Sequence, residues 1–412
     1  MPGECGYPSA VENGPANSQP PKSAGAPTVV LGIETSCDDT AAAIIDSHGR
    51  ILSEVARGQA ASHEPKGGIV PVLAVAKHVE NMPYVVKEAL DQSGLTMADI
   101  DAVAVTRGPG ISACLSVGFN AAKTLAAVHN KPLIGAHHME AHALTARLCF
   151  PDQIEFPFLS LLISGGHTLL LAVHGVGQYT QLGTTRDDSI GDAFDKVARA
   201  LQLPWKSGPG GGAGAALEQA AQRGELYESP VAISEESPRS RPSLKIPLRV
   251  PMSVNHQVAS LDFSFSGLKA DVFRRIEAEL ASHYGQFVFD MAAAFQYTAT
   301  RHLLQKVKLG LRYCQTELGM AQPRALVCSG GVASNTYIRG QLQDWAAAEK
   351  GGGGIPLFCP PPRLCTDNGV MVAWAGYERL RANMVDSYDI GVMPKWPLED
   401  LKNWPNIKPY FR

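Results

Sequence analysis

The sequence has no apolar run of about 18 or more residues, the length that a membrane-spanning helix needs. Charged residues make up only 18% of the chain and the formal net charge is -3, so the protein has no global basic field. A nucleic-acid partner would therefore have to meet a local basic patch. With 45% hydrophobic residues, the composition is that of a soluble globular enzyme rather than a disordered or fibrous protein.

The 8 cysteines include no C-x-x-C pair. Neither a disulfide framework nor a zinc knuckle is indicated, and we expect a reducing compartment. A convincing mitochondrial presequence is also missing, because residues 1–27 are rich in Pro, Gly, Ser and Ala but contain Glu4, Glu12 and a single basic residue, Lys22. We predict that this segment is a disordered tail.

Two similar strand–turn–strand units lie in the ordered part of the chain. The first runs from Val29 to Ile45 around a polar turn at 34–40, and the second runs from Phe158 to Val173 around a Ser-Gly-Gly turn. They share almost no residue identity, but their common shape predicts a duplicated architecture. Strands and Ala-rich helices alternate between them, which is typical of an α/β fold.

A third turn, residues 329–335, follows an apolar strand and again begins with Ser-Gly-Gly. Small residues let backbone N–H groups approach a ligand closely, and an anion is the usual guest. A single Ser-Gly-Gly is weak evidence, since any tight hairpin can use it. Three turns of small or polar residues, two of them Ser-Gly-Gly and each at a strand end, favour a phosphate cradle. In the first turn, Asp38 and Asp39 could bind a metal-bridged phosphate or close an Asx turn.

His138 and His142 are four residues apart, so on a helix they share one face and could bind one metal ion. The zinc-protease motif with this spacing needs Glu directly after the first His, and Met139 occupies that place. Glu140 projects about 200° around the helix from His138 and is expected to face away from the metal. The alternative is a histidine pair satisfied by hydrogen bonds.

A metal site needs a third ligand, and the sharpest candidate is Asp367 in the polar turn before the apolar helix 370–380. Its alternative role is the N-cap of that helix. Asp195 could bind a hydroxyl group or pair with Arg199 one helical turn later. His167 follows its glycines directly and is more often a structural histidine.

Six motifs in this order resemble those of the TsaD family, the tRNA N6-adenosine threonylcarbamoyltransferases formerly labelled O-sialoglycoprotein endopeptidases. They are LGIETSCDDTAAA at 31–43, HHMEAH at 137–142, LISGGHT at 162–168, FSFSGLK at 263–269, SGGVASN at 329–335 and CTDN at 365–368. The resemblance covers about residues 29–389. Residues 137–145 and 360–367 look most like the mitochondrial, stand-alone branch.

The resemblance implies an α/β fold of the actin-like, sugar-kinase type, a ribonuclease H-like duplication with two lobes around a central cleft. We expect an N-terminal lobe over 28–134 and a C-terminal lobe over 135–390, with a basic insertion near 229–255 and an irregular tail over 391–412. The final helix of the second segment could pack on the first lobe.

The implied reaction is transfer of the threonylcarbamoyl group from threonylcarbamoyl-AMP to N6 of adenosine 37 in tRNAs that read ANN codons, with release of AMP. A separate synthase would supply the adenylate. The branch resemblance further implies a homodimer and a mitochondrial location, with the cytoplasm as the alternative compartment.

Position by position, the resemblance places one divalent metal ion per subunit, zinc or iron, on His138, His142 and Asp367. A glycine that contacts substrate in the family follows Asp195. Counting back from the next helix gives Gly214, with Glu218 one turn on, and counting forward gives Gly208. We prefer Gly214, since glycine loops absorb insertions. The implied adenylate contacts are then Leu162, Ile163, Ser164, Gly165, Gly166, Asp195, Gly214, Glu218, Ser334 and Asn335.

No dedicated general base is evident, and Asp38 or Asp39 is the candidate to accept the N6 proton. The chain departs from the family at 70–73, where Val-Pro-Val-Leu replaces the frequent Val-Pro-Glu-Leu. The basic insertion 239–249 is longer than expected, and we assign it a possible tRNA contact. Competing functions are a sugar-kinase-type phosphotransferase, for which the glycine turns suffice, and a metallopeptidase, which Met139 disfavours.

Overall fold

The computed structural model describes residues 25–63, 66, 68–204, 211–227, 244–253, 259–279, 284–319, 323–349 and 355–404. Several sequence predictions fall outside these ranges. They concern the tail before residue 25, the alternative Gly208, the insertion residues Arg239 and Arg241, and the chain after residue 404.

Two five-stranded sheets form the framework of the described chain. The first has the order β3-β2-β1-β4-β5 and the second the order β10-β9-β6-β7-β8. In each sheet the first strand of the sequence pairs antiparallel with the second and parallel with a strand that follows much later. The predicted duplication is therefore confirmed. The strands are β1 (Val29–Glu34), β2 (Asp39–Asp46), β3 (Ile51–Gly58), β4 (Ala102–Gly108), β5 (Leu133–His137), β6 (Phe158–Ile163), β7 (Thr168–Gly175), β8 (Gln178–Thr184), β9 (Leu326–Ser329) and β10 (Leu357–Phe358).

Helices cover both faces of each sheet. They are α1 (Ala60–His63), α2 (Pro71–Ser93), α3 (Ser112–Val128), α4 (His138–Cys149), α5 (Ile190–Ala200), α6 (Ala213–Ala221), α7 (Ser266–Glu279), α8 (Tyr284–Thr316), α9 (Thr336–Glu349) and α10 (Gly369–Arg381). Helix α6 begins at Ala213, where an apolar stripe starts, so the preferred Gly214 lies in its first turn. No described helix is both long and apolar enough to span a membrane.

Strand β1 shows why the first sheet is covered on both sides. Leu31 and Ile33 point into a core shared with α2 and α3, whereas Val30 points into a core shared with α10. Helix α10 crosses β1 so closely that a Cβ atom on Gly32 would lie 2.3 Å from the backbone nitrogen of Ala373. The glycine at this position is therefore required by packing.

Helix α4 lies between the two lobes. Ala141 and Leu144 belong to the core beneath the first sheet and α10, and Met139 and Ala143 belong to the core beneath the second sheet. Ten of its 12 residues are buried. A helix in contact with apolar surface on opposite sides is apolar around most of its circumference, which the alanines here provide.

The segment after α10 packs back onto both sheets. The backbone nitrogen of Met393 donates to the carbonyl of Arg107, and Trp396 and Leu401 are buried against the second sheet. A short 3-10 helix, Leu398–Asn403, closes the described chain. The lobe boundaries at 134/135 and 390/391 stay predictions, since α4 and this segment contribute to more than one core.

Candidate metal centre and nucleotide cavity

Three potential metal ligands converge where α4 meets the loop before α10. Among the described residues, His138, His142 and Asp367 place their ligand atoms within 4.8 Å of one another. The Nε2 atom of His142 lies 3.1 Å from Oδ1 of Asp367, and the Nε2 atom of His138 lies 3.4 Å from the same oxygen. The two histidines share one helix face, as their spacing predicted.

The alternative role of Asp367 as a helix N-cap is wrong. Asn368 caps α10, because its Oδ1 accepts a hydrogen bond of 2.8 Å from the backbone nitrogen of Met371. The carboxylate of Asp367 is thus left to face the two histidines. Sequence spacing could not distinguish neighbouring residues that are both good capping residues.

The cluster is strongly coupled electrostatically. Burial lowers the pKa of His138, but the carboxylates of Asp367 and Glu34 outweigh burial and raise that pKa to about 10. Burial raises the pKa of Asp367, and the two histidines overcome this effect and hold it well below its usual range. Two imidazole nitrogens and one carboxylate oxygen at such close range fit a divalent cation, and this donor set suits zinc or iron.

Glu140 faces away from this cluster, as predicted. Its Oε1 accepts hydrogen bonds from the backbone nitrogen of Gly177 at 2.8 Å and from the Tyr179 hydroxyl at 3.1 Å. Its Oε2 accepts a hydrogen bond of 3.0 Å from Arg379. Glu140, Tyr179 and Arg379 are all buried. Glu140 therefore joins α4 to α10 and β8.

Glu34 is a site residue for which the sequence patterns predicted no role. It ends β1, is fully buried, and places Oε2 3.4 Å from Nδ1 of His138. The available signal was an ionisable residue that directly follows an apolar strand. Its partner lies 104 positions away along the chain, which no local pattern could identify.

The first polar turn is held by a buried histidine of α2. His78 contacts the carbonyl oxygen of Cys37 through Nε2 at 3.0 Å and the hydroxyl of Thr40 through Nδ1 at 2.8 Å. Asp38 and Asp39 lie between these two contacts. Burial, followed by the negative charges of Asp367, Asp38 and Glu34, raises the pKa of Asp39 to about 8. The turn is therefore electrostatically coupled to the metal cluster.

A cavity of about 690 Å³ lies next to the cluster, within the range typical of small-molecule sites. The first turns of three helices, α5, α6 and α9, line it, and helix N-termini favour anions. The cavity reaches Thr366, which directly precedes Asp367. It brings together six predicted adenylate contacts: Gly165, Asp195, Gly214, Glu218, Ser334 and Asn335.

Hydrogen bonds across the cavity wall position these residues. Asp195 accepts a hydrogen bond of 2.9 Å from the backbone nitrogen of Gly214. Glu218 accepts hydrogen bonds from the backbone nitrogen of Thr336, at 2.8 Å, and from the Thr336 hydroxyl. The Asn335 amide caps α9 through Ile338 at 3.0 Å, so much of its hydrogen-bonding capacity serves the protein.

The Ser-Gly-Gly turn after β6 lies against the start of α5. A Cβ atom on Gly191 would lie 2.6 Å from the carbonyl oxygen of Ser164, whereas Cβ atoms on Gly165 and Gly166 would meet nothing within 4 Å. The side chains of Leu162 and Ile163 do not reach the cavity, because both residues belong to β6 and are buried in the sheet. Any contact of these two with a substrate would use the backbone.

A hydrogen bond joins the His138–His142–Asp367 cluster directly to the turn at residues 329–335. The hydroxyl of Ser329, the last residue of β9, donates a hydrogen bond of 2.9 Å to the carbonyl oxygen of His142. His167 lies near the cluster as well, and burial together with the charges of His138 and His142 lowers its pKa to about 4. The predicted anion-binding backbone and the predicted metal ligands therefore share one region.

Two basic residues of the insertion, Lys245 and Arg249, lie in the described part of the chain. Lys245 forms ion pairs with Asp290 at 2.7 Å and with Glu225 at 3.0 Å. Arg249 lines a separate groove beside α7. The tRNA contact assigned to 239–249 stays a prediction.

A family model described as TsaD: tRNA N6-adenosine threonylcarbamoyltransferase matches residues 50–374. The chain belongs to the TsaD family. It is 41% identical over 381 residues to a tRNA N6-adenosine threonylcarbamoyltransferase from Afipia carboxidovorans, covering 92% of this chain and 97% of the relative. It is 43% identical over 375 residues to the protein of the same name from Brucella melitensis biotype 2, covering 90% and 95%.

Among solved structures, HypF from T. kodakarensis superposes with a TM-score of 0.55 at 15% identity, covering 86% of this chain and 48% of that chain. At this identity the likeness concerns the fold alone. The predicted two-lobe α/β fold of the actin-like type is confirmed, and the TsaD family motifs lie on its strand ends and on α4.

Proposed function

We propose that this TsaD family member transfers the threonylcarbamoyl group from threonylcarbamoyl-AMP to N6 of adenosine 37 in tRNAs that read ANN codons, releasing AMP. The observation that carries this proposal is the junction at Thr366 and Asp367. There a cavity large enough for an adenylate adjoins a His-His-Asp cluster. The full-length similarity to transferases of this name supports the same activity.

His138, His142 and Asp367 would hold one divalent cation, zinc or iron. When bound, it supplies positive charge that stabilises negative charge developing on the substrate oxygens. An affinity for cations is consistent with two buried histidines and a partly buried carboxylate whose ligand atoms lie within 4.8 Å of one another.

The adenylate occupies the cavity in this proposal. The backbone at Gly165 and Gly331 and the starts of α5, α6 and α9 bind the phosphate, because their N–H groups and helix dipoles favour an anion. Asp195 and Glu218 accept hydrogen bonds from the ribose hydroxyls. Each already accepts from a backbone nitrogen through one oxygen, which fixes the orientation of the second.

In the transfer step, N6 of adenosine attacks the carbamoyl carbon, the new N–C bond forms and the C–O bond to phosphate breaks. AMP leaves with the bonding electron pair. The proton lost from N6 passes to the Asp38–Asp39 turn, and Asp39 is the better acceptor of the two. Its pKa of about 8 lies near the working pH of a general base, and a cation at the cluster would lower it.

The test measures formation of N6-threonylcarbamoyladenosine from threonine, bicarbonate, ATP and tRNA, with the adenylate-making synthase added. Nucleoside mass spectrometry quantifies the product. Asp367→Ala should abolish the product, and Asp195→Asn should raise the KM for the adenylate. Val72→Ala, a change at an exposed position, is the matched control. Full activity of Asp367→Ala would contradict the proposed role of the cluster.

The alternatives receive no support from the site. A sugar-kinase-type phosphotransferase would not need the His-His-Asp cluster. A metallopeptidase of the H-E-x-x-H type would need a carboxylate base directed at the metal, and Glu140 is held by Arg379 and Tyr179.

We further propose that the chain is of the mitochondrial, stand-alone branch, acts as a homodimer, and receives its adenylate from a separate synthase. The support is the resemblance of residues 137–145 and 360–367 to that branch. Nucleoside analysis of organelle and cytosolic tRNA after loss of the protein tests the compartment. Loss of the modification from cytosolic tRNA alone would contradict the mitochondrial assignment.

A further inference from the structure

Glu34 places a carboxylate in the interior beside the metal cluster, where three different segments approach it. Its Oε1 accepts a hydrogen bond of 2.5 Å from the backbone nitrogen of Ser36. Its Oε2 accepts a hydrogen bond from the hydroxyl of Thr106 and lies 3.4 Å from Nδ1 of His138. The side chain has no exposure to solvent. A buried carboxylate is costly unless such donors surround it.

The strand order of the first sheet explains why Glu34, Thr106 and His138 lie close together. β1 and β4 are adjacent parallel strands with Ile33 opposite Val105, so the next residues, Glu34 and Thr106, are neighbours at the same sheet edge. Helix α4 starts at that edge, directly after β5, and His138 is its first residue. The carboxylate is therefore held from two strands and directed at the helix that bears two of the three cluster residues.

These contacts select one tautomer of His138. A carboxylate accepts hydrogen bonds, so the nitrogen that faces Glu34, Nδ1, is the one that carries hydrogen. The hydroxyl of Ser36, 3.2 Å from the same nitrogen, can accept from it as well. The other nitrogen, Nε2, is then available at the side of the ring that faces Asp367 and His142.

We propose that Glu34 is a positioning residue of the metal centre: it fixes His138 in the Nδ1–H tautomer and so presents Nε2 to the cation. The proposal rests on the metal centre of the proposed function. Metal-bound histidines commonly donate their second N–H to a carboxylate, and removal of such a partner typically weakens metal binding by about 10- to 100-fold.

The first test is zinc affinity, measured on the full-length protein after metal removal by competition with a chromophoric chelator. Glu34→Gln keeps the size of the side chain and should weaken zinc binding by about 10- to 100-fold. Glu88→Gln is the matched control, because it makes the same change in a half-exposed carboxylate of α2 that pairs with Arg57. It should leave zinc affinity unchanged.

Unfolding curves of each metal-free variant show whether the variant is folded, so a loss of zinc affinity can be distinguished from a loss of structure. A folded Glu34→Gln protein with wild-type zinc affinity would overturn the proposal. So would a Glu88→Gln protein whose zinc affinity falls as far as that of Glu34→Gln, since the effect would then not depend on the contact with His138.

The second test needs no variant. Nitrogen-15 NMR of ring-labelled histidine in the zinc-loaded wild-type protein should show a protonated Nδ1 and a zinc-bound Nε2 for His138, which His138→Gln assigns by loss of its signals. Zinc on Nδ1 would overturn the proposal even where Glu34→Gln fails to fold. Absence of zinc binding by the wild-type protein would overturn both this role and the metal centre. Equal binding by a folded Glu34→Gln would overturn the role of Glu34 alone.

Discussion

Glu140 and Arg379 form an ion pair of 3.0 Å in which neither side chain is exposed to solvent. The pair lies on the opposite side of α4 from His138 and His142. One helix thus carries a polar cluster toward the cavity and a separate polar contact toward α10 and β8. The two sets have different functions, and mutations can separate them.

Glu140→Gln should destabilise the protein without removing the metal ligands. Loss of one member of a buried pair leaves the other charge uncompensated, so we expect the free energy of unfolding to fall by about 3–5 kcal/mol. Urea unfolding measures it. Asp91→Asn breaks a solvent-exposed pair with Lys87 and should have no measurable effect. Loss of zinc binding by Glu140→Gln that remains folded would contradict the separation.

The stability of the metal-free protein should fall as the pH rises from about 7 to 10. The folded-state pKa of His138, about 10, lies above its ordinary value of 6.5, so its stabilising contribution is complete below about pH 6.5 and is lost as the pH approaches 10. Asp39 acts in the same direction. Its folded-state pKa of about 8 also lies above its ordinary pKa of 3.8, so its stabilising contribution is lost as the pH rises from 3.8 toward 8.

Unfolding free energies of the metal-free protein at a series of pH values measure this effect. Asp39→Asn should remove the fall at lower pH and leave the fall near pH 10. Metal binding at neutral pH should release a proton from His138, which calorimetry in buffers of different ionisation enthalpy detects. A metal-free protein that becomes more stable between pH 7 and 10 would contradict the electrostatic account of the cluster.

The sequence predicted those features that local patterns encode. The strand pairs, the three polar turns at strand ends and the i,i+4 histidines have short-range signatures, and the family motifs joined His138 and His142 to Asp367. Contacts made through tertiary structure could not be predicted in this way. Asp187, for example, lies just before α5 in the sequence, but it accepts hydrogen bonds from the backbone of Phe265 and Ser266 at the start of α7.

The same limit applies to the two side chains that hold the site together. Glu34 reaches His138 because β1, β4 and α4 meet at one edge of a sheet, and His78 reaches the first polar turn because α2 packs beneath β2. Neither contact leaves a pattern in the sequence near either partner. The chemistry of single residues was therefore easier to predict than the residues that orient them.

His78 should affect turnover more than substrate binding. Its contacts with the Cys37 carbonyl and the Thr40 hydroxyl span the Asp38–Asp39 turn, and misplacement of a reacting group by about 1 Å can cost on the order of 100-fold in rate. We expect His78→Ala to lower kcat by about 10- to 100-fold with a smaller change in the KM for the adenylate.

His78→Gln, which offers a donor and an acceptor at similar reach, should recover part of the rate. His48 is exposed, and His48→Gln serves as the control. Steady-state kinetics with purified adenylate and tRNA measure both parameters. An unchanged kcat in folded His78→Ala would show that the turn does not take part in the transfer.

Gly191→Ala should weaken adenylate binding, because the new methyl group would lie 2.6 Å from the carbonyl oxygen of Ser164 and 2.7 Å from the Cα atom of Gly165. The Ser-Gly-Gly turn must then move away from α5, and its N–H groups lose their place at the cavity wall. We expect the affinity for AMP, measured by calorimetry, to fall by about 10-fold, equivalent to about 1.4 kcal/mol.

Gly340→Ala is the matched control for this change. It lies in α9, where an added Cβ meets nothing within 4 Å, so it should leave AMP affinity unchanged and stabilise the helix by about 0.5–1 kcal/mol. Equal AMP affinities of Gly191→Ala and Gly340→Ala would mean that the turn after β6 does not bind the nucleotide. The phosphate would then have to be held from the opposite wall, by the turn that follows β9.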